Sequence, residues 1–355
     1  MKKINEDFRI LYALAIIFVV LGHIGSGILE FKIFPYYSLH IPIFVIGSGY
    51  FFKDTSIVKY LSHKSEKLLV PFFACNIFYL LVQTGLRSFG YSIGDTFSLY
   101  NAFIKPFDSY QPNGFNSPSW FVIAIFLTGF FALMIYKVCK LSGKYKEIIL
   151  FILCTALSVI AVILERNNRF MYGYILVPLR SLFLLYYFGF GIIYRKYLEE
   201  WFDKVPKVIY LVVVVGLTYG IWKYVGGGYN TAFSIYRFDV DNRFIVMYGS
   251  SVLGFLFWIG ISKIIAKIKY KGLLLYIGSH TFEIMTHHLF AIFIIQTIVM
   301  KLGLLPAFDI GQYMQSAYYF CTPNGTYQLI LAALSVGLVL CYCFIKDLVL
   351  KGNRR

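Results

Sequence analysis

From Ile10 the chain runs apolar to Gly22, and comparable runs recur ten times, near 8–28, 38–52, 68–86, 118–138, 148–164, 171–194, 205–222, 244–262, 281–300 and 327–345. Nearly all can cross the roughly 30 Å of bilayer hydrocarbon as helices. The pattern predicts an all-α, polytopic transmembrane bundle of ten spans, with residues 1–355 forming one membrane domain. The second run is short and carries Pro42, Gly47 and Gly49. It is expected to be bent or broken, which membranes tolerate where neighbouring helices or a cavity satisfy the backbone.

The polar positions between the runs set the orientation. With the N-terminus inside, the inside segments carry 22 of the 33 basic residues, among them Lys53, Lys59, Lys64 and Lys67, and Lys263, Lys267, Lys269 and Lys271. Lys and Arg accumulate on the cytoplasmic side, so both termini are expected there. The longest outside segments, 87–117 and 301–326, read as ordered loops. Neither an internal repeat nor a low-complexity tract is visible.

Composition agrees: 59% of residues are hydrophobic and 14% charged. Soluble domains sit near 45–50% and about 25%. The net charge of +16 sits in short clusters at span ends, which encodes topology and is not how a duplex is gripped, so nucleic acid is excluded as a partner. Of Cys75, Cys139, Cys154, Cys321, Cys341 and Cys343, all but Cys321 lie in or at the ends of apolar runs, as small core residues rather than a disulfide framework. The first run lacks a small-residue cleavage site, so no cleaved signal peptide is expected.

Ionisable groups inside the membrane cost roughly 2.5–3.5 kcal/mol each on insertion scales and mark candidate chemistry. His23 closes the first run, about 20 Å of helix from the inner end. It reads as a general base or as a structural histidine. His40 opens the second run at the same outer side, as a pocket group or an interfacial residue. His280, Glu283 and His287 share one helical face, with His288 about 100° away from His287. Their spacing is not the two-histidine zincin pattern, and no metal is expected. A proton relay, a substrate pocket and interhelical hydrogen bonding all stay open. Arg180, inside the sixth run, calls for an anionic partner, with Glu165 and the Asp239, Asp241 and Arg243 cluster on its side; it either ties helices or clamps a substrate. Lys64 and Lys67, one turn apart before the third run, read first as topological charge.

Several segments together resemble the acyltransferase-3 family of membrane proteins. Leu14-Ala-Ile-Ile-Phe-Val-Val-Leu-Gly-His23 is similar to its first helix. Leu39-His-Ile-Pro-Ile-Phe, followed by Ser48-Gly-Tyr50, resembles its second. Lys64-Ser-Glu-Lys67 looks like its basic-x-x-basic motif, and Pro118-Ser-Trp-Phe121 like its Leu-Trp-Phe helix opening. Arg180 to Gly191 resembles a later segment, and Gly278 to His288 the family's Gly-x-x-Thr/Ser-Leu-x-Ile-Tyr-Leu-x-His.

The resemblance implies transfer of an acyl group, most often acetyl, from cytoplasmic acyl-CoA. The acceptor would be a hydroxyl of a cell-surface or lipid-linked carbohydrate. His23 would be the principal catalytic residue, with His287 matched to the late motif histidine and Glu283 beside it. Lys64, Lys67 and Arg9 would hold the CoA phosphates, and His40, Trp120 and Arg180 would line the acceptor pocket. Acetyl-CoA is then a substrate, and no bound cofactor is expected. One departure matters. Where the family carries Arg or Lys eleven positions before its histidine, this chain has Tyr12, with Arg9 one turn earlier. A transporter or flippase for a glycan or small anion is the alternative, and a catalytically silent scaffold a third reading. The Lys-, Ile-, Phe- and Tyr-rich composition points to a bacterial plasma membrane.

Overall fold

The computed structural model describes residues 5–25, 32–108, 114–168, 174–228, 231–236, 238, 245–305, 309–316 and 325–352. Among these the fold is helical, with no strand. The helices are α1 (Glu6–Ile24), α2 (His40–Tyr50), α3 (Ile57–Ser88), α4 (Trp120–Cys139), α5 (Lys146–Asn168), α6 (Leu176–Lys204), α7 (Lys207–Tyr224), α8 (Ser251–Ile265), α9 (Gly272–Ser279), α10 (Thr281–Lys301), α11 (Ile310–Ser316) and α12 (Gly325–Gly352). Eight stretches are long and apolar enough to cross a membrane. One of them, Ser117–Asn167, contains both α4 and α5, which fold back on each other at Gly143 (φ 57°, ψ −118°), a left-handed backbone open to glycine.

Two helices form the axis. α1 touches α2, α8, α9, α10 and α12, and α6 touches α2, α4 and α5. Of the apolar windows, 61% of α1 and 78% of α6 is buried inside the protein, against 17% of α7. The outer helices show lipid-facing apolar side chains, as expected where lipid is the solvent.

α2 corrects the expectation of a bent or broken span. It is a regular helix of 11 residues, about 16 Å long, preceded by a single 3-10 turn at Tyr36–Ser38. Its glycines serve close packing. A Cβ on Gly49 would stand 1.9 Å from the Phe188 carbonyl oxygen, and one on Gly191 would stand 2.0 Å from that of Ile46. The α2 and α6 backbones therefore touch, the small-residue contact typical of membrane helices.

Charge gathers at one end of the bundle. There Asp54 takes Lys137 and Lys140 at 2.5 Å each, Lys263 meets Glu199 and Asp203, Lys271 meets Glu6, and Tyr50 donates to Glu199. We refer to this as the basic end. Cys75, Cys139, Cys154, Cys341 and Cys343 are free thiols. Cys321 lies outside the described residues.

Candidate active site

α1 starts at the basic end, where the Asn5 side chain accepts a hydrogen bond from Phe8 N (3.1 Å), a conventional N-cap. It stops at Gly25, whose left-handed backbone (φ 77°) returns its N–H to the Leu21 carbonyl at 3.0 Å. His23 is thus held in the last turn, at the end of the bundle opposite the basic one. Tyr12, Ile16, Val19 and His23, three or four residues apart, share one face of α1 and line a single cavity of about 240 Å³.

His23 and His40 stand at one end of that cavity, with Pro118, Trp120 and Phe121. Ile41, Phe44, Val122, Ile125 and Met285 form apolar walls. Tyr12, Ser48, Leu68, Thr281 and Phe282 close the other end. From Tyr12 to His23 the cavity follows α1 for about 16 Å. Leu68 directly follows Lys67, so the lower end reaches the segment that carries the exposed Lys64 and Lys67, neither of which lines the cavity. They sit where α3 widens into a π turn, Ser65–Leu69. Pro71 has no N–H to give to the preceding turn, which relieves its missing bond by widening.

His40 Nδ1 faces the Tyr36 carbonyl oxygen. A carbonyl only accepts, so Nδ1 carries the proton and Nε2 keeps its lone pair. Tyr12 stacks on Phe44 (centroids 5.4 Å apart) and occupies the space that Gly47 leaves open: a Cβ there would meet its hydroxyl at 2.0 Å.

The remaining candidates lie outside the cavity. Arg180 is 1% exposed and lies behind Trp120, its guanidinium 4.9 Å from that ring's centroid; it donates to the Tyr236 carbonyl. It supports the cavity wall through a cation–π contact and does not line the cavity. Among the described residues it makes no salt bridge with Glu165, and Asp239, Asp241 and Arg243 lie outside the described residues. Glu283 pairs with Lys346 on α12, and His280 is within 3.8 Å of Glu283 and 3.5 Å of Asp347. His287 Nδ1 meets the Tyr79 hydroxyl at 2.6 Å and packs against Tyr342. These groups tie α10 to α3 and α12. Arg9 is half-buried, one turn below Tyr12 on the cavity-lining face of α1.

The side chain beside His23 is instead His288, with ring centroids 5.1 Å apart. His288 is fully buried. Its Nδ1–H donates to the carbonyls of Ile284 (2.8 Å) and Met285 (3.0 Å), which leaves Nε2 without a hydrogen-bond partner among the described residues. Two signals in the sequence lead to it. The late motif, counted from Gly278, ends ten residues on, at 288 rather than 287. Ile284, His288, Ala291 and Ile292 also form one buried face of α10.

A family model described as an acyltransferase domain matches residues 5–346. The chain belongs to the acyltransferase-3 family. No curated protein and no solved structure matches it. With its membrane-helical fold, the protein is a multi-pass membrane acyltransferase.

Proposed function

We propose that this acyltransferase moves an acetyl group from acetyl-CoA to a hydroxyl of a surface or lipid-linked carbohydrate. It does so across a bacterial plasma membrane that it spans ten times, with both termini cytoplasmic. The single observation that carries the reading is the cavity running from His23 and His40 down to Leu68, beside Lys64 and Lys67. A transferase whose donor and acceptor approach from opposite sides needs one continuous path between two ends of different chemistry. Here one end offers imidazoles and the other ends at Leu68, next in the chain to Lys67.

In this reading Lys64, Lys67 and Arg9 meet the CoA phosphates at the cytoplasmic mouth, as charge-assisted contacts. The pantetheine arm lies along the apolar wall of Ile16, Val19, Phe44 and Met285, and the thioester reaches His23. The acceptor hydroxyl sits between His23, His40 and Trp120, with the His40 Nε2 lone pair accepting from the sugar. His23 takes the hydroxyl proton while the oxygen attacks the thioester carbon. The C–S bond breaks, the thiolate takes the proton from His23, and the products are the O-acetyl ester and CoA. Arg180 keeps Trp120 in place. Glu283 and His287 act by fixing α10.

The test is titration of the purified protein with acetyl-CoA, following binding and transfer to a soluble sugar, alongside His23→Ala and a Lys64→Ala/Lys67→Ala double variant. Binding weakened by the lysine changes, and turnover lost with His23 while binding persists, are the expected results. No binding at millimolar acetyl-CoA would sink the acetyl-donor reading.

A further inference from the structure

A buried acceptor atom with no hydrogen-bond partner forfeits its hydration without return, so each one in a folded protein calls for a reason. Among the described residues His288 Nε2 is such an atom, and its ring stands beside the one assigned above as the base. Its tautomer is not free. Two backbone carbonyls hold the proton on Nδ1, so Nε2 can only accept. The His23 ring, by contrast, is half-buried and reaches the cavity. At a centroid separation of 5.1 Å the two rings are close enough for a nitrogen of each to approach hydrogen-bond distance. Catalytic hydrogen bonds are often loose in the empty protein and tighten when substrate binds.

We infer that His288 is the positioning partner of His23: its Nε2 accepts the N–H of one His23 nitrogen and aims the other, as a lone pair, at the acceptor hydroxyl. The inference rests on the acetyl-transfer reading. In the transfer step the hydroxyl proton moves to the aimed His23 nitrogen as the C–O bond forms. The C–S bond then breaks, and that proton passes to the thiolate. His288 neither gains nor loses a proton. Its contact strengthens while His23 carries positive charge, because hydrogen bonds to ionised donors are the stronger ones. The role is that of a triad's orienting group, filled by a neutral imidazole rather than a carboxylate. A neutral partner suits this site, where α10 buries His288 among Ile284, Leu289 and Ile292 and a carboxylate would carry a large desolvation cost.

Two substitutions separate positioning from packing. His288→Leu keeps the volume and removes the acceptor, whereas His288→Gln sets a carboxamide oxygen near the place of Nε2. For the Leu variant, kcat is expected to fall about 10²-fold with KM for acetyl-CoA unchanged, the size of a general-base contribution. The Gln variant should recover most of that loss. An activity-independent readout is carbethoxylation of His23 by diethyl pyrocarbonate, followed by peptide mass mapping, with exposed His63 as internal reference. The rate at His23 should drop about tenfold in the Leu variant, the size of one lost hydrogen bond, and recover in the Gln variant. Equal kcat in wild type and Leu variant, equal loss in Leu and Gln variants, or an unchanged His23 carbethoxylation rate would each overturn the proposal. Wild-type protein without acetyl transfer would overturn the proposed function alone, because the carbethoxylation comparison would still decide the role of His288.

Discussion

Gly49→Ala tests how closely the cavity depends on the α2–α6 contact. The added Cβ would meet the Phe188 carbonyl oxygen at 1.9 Å, and real contacts of this kind stay above 3.0 Å. The neighbour is backbone, which has no rotamer to change, so α2 and α6 must separate by about 1 Å. Overpacking of this sort costs about 1–3 kcal/mol, and a backbone neighbour puts this site towards the upper value. α2 also carries His40, Phe44 and Ser48 into the cavity. Misplacing reacting groups by about 1 Å can cost about 10²-fold in rate. The expected outcome is a lower unfolding temperature in detergent together with a kcat loss approaching that factor. Gly216→Ala is the matched control: it lies in α7 with nothing within 4 Å of a new Cβ. There the change should be neutral or stabilising by up to about 1 kcal/mol, from helix propensity. A Gly49→Ala protein as stable and active as wild type would refute the reasoning that backbone contact between α2 and α6 sets the cavity.

Further outcomes follow from the same structure. Trp120→Leu should destabilise more than Arg180→Met by about 2 kcal/mol, because the first leaves a buried guanidinium without its ring and the second removes the charge; thermal unfolding in detergent decides the order. Glu283→Gln should leave kcat within about threefold, far from the 10²–10⁴-fold of a general base, while lowering thermal stability through loss of the Lys346 pair; an abolished kcat would return Glu283 to the catalytic set. Hydrogen bonds from Lys137 and Lys140 hold the Asp54 carboxyl below its usual range. Its contribution to stability is therefore fully present above the unfolded value near 3.9 and lost as pH falls through the lower folded value; Asp54→Asn should flatten that acid limb of the unfolding profile, and high salt should shrink it.

Much of the fold was legible in one dimension, for a physical reason. Lipid gives no hydrogen bonds to a bare backbone, so long apolar runs must be helices, and the ten predicted segments fall on ten of the helices described here. His23 was equally legible, as a polar residue closing an apolar run. Rotation about a helix axis and depth behind a neighbour were different matters. His287 and His288 are adjacent in sequence, yet about 100° of rotation sends one to Tyr79 and the other to His23, and only the packing of α10 against α1 selects between them. Arg180 read as a group inside the membrane, but its place behind Trp120 depends on how α4 and α6 meet. The second run was legible as short, but the backbone contact of its Gly49 with Phe188 of α6 depends on how the two helices pack, which no local propensity contains. The sequence by itself therefore determined which segments are apolar helices and which polar residues they carry. Tertiary packing decided which of those residues face one another across the cavity, because facing is a property of pairs of helices and not of either one alone.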